Sequence, residues 1–413
     1  TNPSITTILG IETSCDDTSV AVVDSNRNIR SEYRKAQWDI HKKFNGVVPK
    51  LASDAHKAVI DEAVEQALAM ANTDINAIDA IAVTTGPGIA LSLEVGLEKG
   101  RQLAKQYNKP FISVNHLEGH CLACRLSCPD IQFPFMTLLV SGGHSQLLVC
   151  HGVSSYTLLG NTLDDSVGEA LDKTARMLGC GFGEVDDGDK KYTNIHGGEA
   201  IEILSRKGDP KRFPFTIPLI GSKNCDFSFS GLKSSVKRLI GELTADKPNG
   251  ELSNRDRFDL AASFQYCAFK HLEKKTLKAI TWYNSKLNTT VNGKLFEPLR
   301  GLVVTGGVSK NKKLRQQFEE LGTQVGVQSY FPEPALCTDN GTMIAWAGIE
   351  MYKHKMFTAP EDAYYLPVWP LDPSPISLFE SNLKPKDIKI REGWYKDVVE
   401  KYGPTTNNSS SSS

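Results

Sequence analysis

The chain has 413 residues, with 47 Lys and Arg against 48 Asp and Glu, a formal net charge of −1. That length suits two or three domains and a sizeable core, while the balanced charge excludes a global field for steering nucleic acid, so RNA binding needs a local basic surface. Nine scattered cysteines, an odd number, argue against a disulfide framework and for a reducing compartment, and no apolar run reaches the ~18 residues of a membrane span.

The chain opens at Thr1 rather than Met, which suggests removal of an upstream targeting piece. Thr6 to Ile11 reads as an apolar strand, Glu12 to Asp17 as a polar turn and Ser19 to Asp24 as a second strand. A helical period runs from Pro49 to Ala71. Ile78 to Val83 is a strand ending in the glycine-rich loop Thr84-Thr85-Gly86-Pro87-Gly88, and a helix through Leu91, Val95, Leu97 and Leu103 follows. Pro110 to Val114 is a buried strand feeding a helix from His116, with Asn115 at its N-cap. From Pro134 the opening theme returns: strand 135–140, the small-residue turn Ser141-Gly142-Gly143-His144, then strand 146–150. Two strand–turn–strand units, at 6–24 and 135–150, suggest two lobes of similar design. Strands alternating with helices point to mostly parallel α/β sheets.

Further on, Asp164 to Thr174 reads as a helix with an acidic start, and Gly181 to Asp189 as a mobile, acid-rich loop. Helices open at His196-Gly197-Gly198-Glu199 and after Cys225 to Lys233, and Arg255 to Tyr283 is a long helix or helix pair. Leu302 to Thr305 runs into the turn Gly306-Gly307, with Ser309 or Asn311 near the next helix cap. Thr405 to Ser413 is Ser, Thr and Asn, a disordered tail or an appended remnant.

Three residues carry metal chemistry. His116 and His120, four apart, lie on one helix face and reach a single ion. Asp339, at a later helix start, supplies a hard oxygen and leaves positions open for substrate. Such a set suits Zn, Fe or Mn. The plain alternatives are packed histidines and an aspartate N-cap. A metalloprotease needs Glu directly after the first histidine; here Leu117 stands there, and Glu118 points about 200° around the helix. Cys121, Cys124 and Cys128 share a helix face, either as cluster ligands or, better, as small buried thiols. Both small-residue turns can offer N–H groups to an anion.

Six ordered motifs carry a resemblance: Gly10–Thr18, Asn115–His120, Leu139–His144, Phe227–Lys233, Val304–Val308 and Thr338–Gly341. Together they resemble the tRNA threonylcarbamoyladenosine synthase family of the TsaD type, across roughly residues 6 to 355, and within it the mitochondrial branch. The resemblance implies a two-lobed, actin-like α/β ATPase fold, each lobe a mixed sheet flanked by helices. The lobes would be 1–133 with 340–404, and 134–339. It implies transfer of the threonylcarbamoyl group of L-threonylcarbamoyl-adenylate to N6 of the tRNA adenosine just 3′ of the anticodon, releasing AMP. On that pattern His116, His120 and Asp339 hold one divalent metal ion. Leu139, Val140, Ser141, Gly142 and Gly143 line the phosphate and acyl group; Asp172, Gly198 and Asn311 contact ribose and base, with Glu202 a further ribose candidate. Gly306 and Gly307 pass under the adenine. A homodimer in the mitochondrial matrix is implied, and an adenine nucleotide, adenylate, AMP or ATP, as ligand.

Ser141 and His144 are the catalytic candidates. The 141–143 N–H groups would stabilise developing charge, and His144 is a candidate proton acceptor, a structural histidine being the alternative. The family's Pro-Gly-Gly-Pro loop is replaced here. His196–Glu199 aligns with it, leaving 181–189 as an insertion that reads as a lid or dimer contact. An ATP-binding module or kinase of the same superfamily is the other function class, with a metallopeptidase behind it.

Overall fold

The computed structural model describes residues 5–44, 46–181, 183–291 and 293–372; the expected tail 405–413 and lobe segment 373–404 lie outside the described residues. The chain forms two compact units, one from Thr1–Leu122 with Asp339–Pro370, the other centred on Ala123–Thr338.

The first unit is built on β1 (Thr7–Glu12), β2 (Asp17–Asp24), β3 (Ile29–Ala36), β4 (Ala80–Gly86) and β5 (Phe111–Asn115). The sheet runs β3-β2-β1-β4-β5. β1 pairs antiparallel with β2 and parallel with β4, and β4 is parallel to β5. β1 is buried along its length, as expected of a central strand covered on both faces. Short α1 (Trp38–His41) follows β3, and α2 (Pro49–Met70), which starts on Pro49, and α3 (Ala90–Gln106) follow in turn. The core joins Leu9, Ile11, Val20 and Val22 to Ile60, Val64, Val83 and Leu97. α4 (His116–Ser127) leaves β5 without an intervening loop, and a final helix, α10 (Gly341–Lys353), returns to this unit.

The second unit repeats the plan. Its strands are β6 (Phe135–Val140), β7 (Ser145–Gly152) and β8 (Ser155–Asn161), the hairpin strands β9 (Glu184–Asp186) and β10 (Lys191–Thr193), the short pair β11 (Thr290–Val291) and β12 (Lys294–Leu295), then β13 (Leu302–Thr305) and β14 (Ser329–Tyr330). The main sheet is β14-β13-β6-β7-β8. Taken from β8, the succession is two antiparallel pairings and then two parallel ones, the same as β3-β2-β1-β4-β5. The duplication hinted at by two strand–turn–strand units is therefore one of topology. Helices α5 (Val167–Met177), α6 (Gly197–Ser205), α7 (Ser230–Thr244), α8 (Asn254–Ser285) and α9 (Lys312–Val325) flank the sheet. Phe227, Phe229, Phe264, Phe269 and Phe318 fill the core with Leu138 and Val149. The mixed α/β class with two helix-flanked mixed sheets, the actin-like plan, is the one the resemblance implied; the mostly parallel sheets expected from strand–helix alternation are corrected, since half the pairings in each sheet are antiparallel.

Three local expectations change. Residues 183–189 are not irregular: β9 pairs with β10, and Asp187 closes the turn by accepting from the N–H groups of Asp189 and Lys190 at 3.0 and 2.8 Å. The helix placed at Asp164 starts at Val167, because Ser166 is its cap and accepts from Glu169 N. Asp164 and Asp165 are drawn to other partners. The 255–283 stretch is one continuous helix, α8.

Candidate active site

The metal candidates assemble within the first unit. Ligand atoms of His116, His120 and Asp339 lie within 4.8 Å of one another. Nε2 of His120 is 3.1 Å and Nε2 of His116 3.5 Å from Oδ1 of Asp339, with the two rings edge to face at 4.8 Å. Three strand or helix ends produce this. Asn115 Oδ1 accepts from Leu117 N at 2.9 Å, fixing the start of α4 and thus the histidine face. Asn340 caps α10, its Oδ1 accepting from Met343 N at 2.7 Å, and Gly341 N donates to Ser19 Oγ on β2 at 2.8 Å. With Asn340 as cap, the plain N-cap alternative for Asp339 falls, and its carboxylate turns to the histidines instead.

Glu12 completes the arrangement, and no spacing rule pointed to it. Its Oε2 lies 3.1 Å from His116 Nδ1 and accepts from Thr84 Oγ1 at 2.5 Å, while Oε1 accepts from Ser14 N at 2.6 Å. A carboxylate accepts only, so Nδ1 carries the proton and Nε2 faces Asp339. Glu12, Thr84 and His116 stand at or just past the ends of the parallel neighbours β1, β4 and β5, where α/β sheets place ligands. Burial opposes the imidazolium, yet Asp339 and Glu12 outweigh it and lift His116 to about 9. Burial likewise opposes the Asp339 carboxylate, but His116 and His120 hold it well below the usual range. The donor set fits a divalent cation: two imidazole nitrogens and one oxygen, with an oriented outer carboxylate.

The remaining candidates lie in the second unit. The Ser141–His144 turn joins β6 to β7. Ser141 N–H donates to His144 O at 2.8 Å, and Ser141 Oγ accepts from His144 N at 3.1 Å. The Ser141 N–H is therefore engaged inside the turn. Gly142 and Gly143 are exposed, with open space where a Cβ would stand. The turn is clamped by α5: Ser166 Oγ donates to Gly142 O at 2.6 Å, and Val167 N to Ser145 Oγ at 2.8 Å. Beside it Gly306, just past β13, has φ +91°, and a Cβ there would meet Val140 O at 2.4 Å; only glycine fits.

The family model for tRNA N6-adenosine threonylcarbamoyltransferase matches residues 28–346. "Probable tRNA N6-adenosine threonylcarbamoyltransferase, mitochondrial" of Arabidopsis thaliana is 40% identical over 378 residues, 88% of this chain and 74% of that one. The chain belongs to the tRNA N6-adenosine threonylcarbamoyltransferase family. A Rhizobium leguminosarum bv. trifolii enzyme of the same name is 40% identical over 369 residues, 88% of this chain and 94% of its own length. At the level of fold, the crystal structure of T. kodakarensis HypF is similar, with a TM-score of 0.53 at 12% identity, over 86% of this chain and 48% of that one.

In this threonylcarbamoyltransferase-family chain Leu139 and Val140 are buried at the end of β6. Together with Ser141–His144, Gly306 and the start of α5 they form one region at the ends of β6 and β13. Asp172 accepts from Gly198 N at 3.2 Å, and a Cβ on Gly197 would strike its Oδ1 at 2.5 Å, so α6 begins directly on this carboxylate. Burial raises Asp172, against the opposing pull of His196 and Gly198. Glu202 accepts from Lys312 N at 3.3 Å and lines a cavity of about 330 Å³ with Arg206, Gln265 and Tyr266. Asn311 is the α9 cap: Oδ1 accepts from Lys313 N and Leu314 N, and Nδ2 donates to Gln265 Oε1 at 2.8 Å. Both ends of its amide are engaged, so it shapes the wall of this region. Gly307 opens a short 3-10 turn. All nine cysteines are free thiols; Cys121 and Cys124 are buried in α4, and Cys128, just past its end, is part-buried. Among the described residues no helix is long and apolar enough to cross a membrane.

Proposed function

We propose that this chain transfers the threonylcarbamoyl group of L-threonylcarbamoyl-adenylate to N6 of the tRNA adenosine 3′ of the anticodon. The carbonyl–phosphate oxygen bond breaks as the carbon–nitrogen bond forms, AMP leaves, and N6 gives up a proton. The observation that carries this reading is the His116–His120–Asp339 cluster, held by Glu12, in a chain 40% identical over 88% of its length to named enzymes of this activity.

His116, His120 and Asp339 would hold one divalent ion, Zn, Fe or Mn, which supplies Lewis-acid polarisation of an acyl or phosphate oxygen. Glu12 keeps the His116 ring turned so that Nε2 is presented. In the second unit the Gly142 and Gly143 N–H groups, rather than Ser141 N–H, would face the acyl or phosphate oxygens. Gly306 and Gly307 would lie under adenine, with Asp172, Gly198 and Glu202 toward the ribose and Asn311 behind them. His144, fixed by its turn, is the proton acceptor in this scheme. We take the lobes as 1–133 with 340–404, and 134–339; the compact units differ from these in placing 123–133 with the second unit and Asp339 with the first. Similarity to the mitochondrial Arabidopsis relative supports a mitochondrial matrix protein, and we assign it as a homodimer.

The test is nucleoside analysis of unmodified tRNA incubated with purified protein and the acyl-adenylate. Threonylcarbamoyladenosine in stoichiometry with AMP is the expected result; folded protein that forms none refutes the assignment. Turnover of ATP without tRNA would instead indicate a kinase-like module, and an active monomer by light scattering would remove the dimer.

A further inference from the structure

The motif Phe227–Lys233 and the pair Asp164-Asp165 are unused by the chemistry above, yet the structure ties them together. Asp164 accepts from Ser228 Oγ at 2.6 Å, Phe229 N at 2.8 Å, Ser230 N at 3.3 Å and Ser230 Oγ at 2.6 Å. Its neighbour Asp165 pairs with Lys173 at 3.0 Å and with Lys233. Two adjacent carboxylates thus fasten the start of α7 to the start of α5.

The two helices border a groove of about 300 Å³ lined by Lys173, Arg176, Met177, Lys233, Ser234 and Lys237. On each helix these residues recur three or four apart, so each set shares a face. Lys173 also meets Glu169 at 2.7 Å. The groove therefore sets four cations against two carboxylates, in a chain whose formal charge is −1. Arg176 and Lys237 are exposed at its rim.

We propose that this α5–α7 groove is the surface that grips the phosphate backbone of the RNA acceptor. The assignment rests on the transferase reading and adds where the RNA is held. The N–H groups of Phe229 and Ser230 at the start of α7 are spent on Asp164, so the groove offers no backbone cradle for a single phosphate. It offers long cationic side chains on a pinned scaffold, the chemistry that follows a run of phosphates. It also adjoins the substrate region along the chain: Lys173 follows Asp172, and Ser166, the cap of α5, holds the Ser141–His144 turn.

The experiment measures binding of an unmodified tRNA transcript to full-length protein across a salt series, for the wild type, Arg176→Ala/Lys237→Ala, the charge reversal Lys237→Glu, and, as control, Lys57→Ala at an exposed position of α2. Loss of two phosphate contacts should weaken binding roughly tenfold near 0.1 M salt and lower the log–log salt slope by about 1.5. Lys57→Ala, acyl-adenylate affinity and the melting temperature should stay as in the wild type. Wild-type affinity and slope in both rim variants would overturn the proposal, as would a loss confined to acyl-adenylate affinity, which would make the groove a nucleotide phosphate site. Failure of the transferase reading shows separately, as wild-type protein that forms no modified adenosine.

Discussion

Nδ1 of His116 lies 3.1 Å from Oε2 of Glu12, and this pairing decides which ring nitrogen faces Asp339. Metal-binding histidines are commonly oriented in this way by a carboxylate, and loss of the partner costs 10–100-fold in metal affinity. Glu12→Gln keeps the size and can still bond to Thr84, but it loses the charge. Competition with a chelator should show metal affinity falling by about one to two orders of magnitude, with the melting temperature of metal-free protein little changed. Unchanged affinity would assign Glu12 to packing alone.

His116→Ala and Asp339→Ala each remove a donor from a set of three. Elemental analysis of purified variants should find metal well below one equivalent, and tRNA modification should be lost. Stoichiometric metal in either variant refutes the ligand set.

Gly306 and Gly307 are neighbours with opposite tolerances. At Gly306 the backbone has φ +91° and Val140 O occupies the space of a Cβ, whereas at Gly307 the nearest atom is Thr338 Cγ2 at 3.7 Å. Gly306→Ala should cost at least about 1–3 kcal/mol in denaturant unfolding from backbone strain alone. Gly307→Ala should stay within about 1 kcal/mol. Equal effects would mean that the turn relaxes.

Asp256 at the start of α8 gives an acid limb. Burial opposes its carboxylate, but Ser253, Lys247 and Arg212, the last at 2.8 Å, draw it down to about 2. A depressed value stabilises the fold above the unfolded carboxylate range and is lost as pH falls through the folded value. The advantage of wild type over Asp256→Asn should therefore be full above about pH 5 and largely gone by about pH 2. A pH-independent difference, read by urea unfolding, would exclude the ion-pair origin.

Much of this molecule could be read along the chain. Apolar runs and helical spacing located β1, β5, β6 and β13 and the helices after them, because burial on one or both faces writes a period into the chain. His116 and His120 were legible as a pair because both lie within one turn of α4. Asp339 was legible only as a residue type at a helix start; that Asn340 takes the cap, and so releases it, required the geometry of α10. Glu12 stood inside a resemblance motif but carried no sign of its metal-site role, since its partner stands 104 positions away at the start of α4, past β5 and across β4 from β1. Helix starts and hairpins moved for the same reason: Asp164 and Asp165 read as the acidic first turn of α5, yet Ser228, Ser230 and Lys233 claim them. Local periodicity fixes elements because it depends on neighbours in the chain. Which carboxylate meets which histidine, helix end or lysine depends on neighbours in space, which only the folded chain brings together.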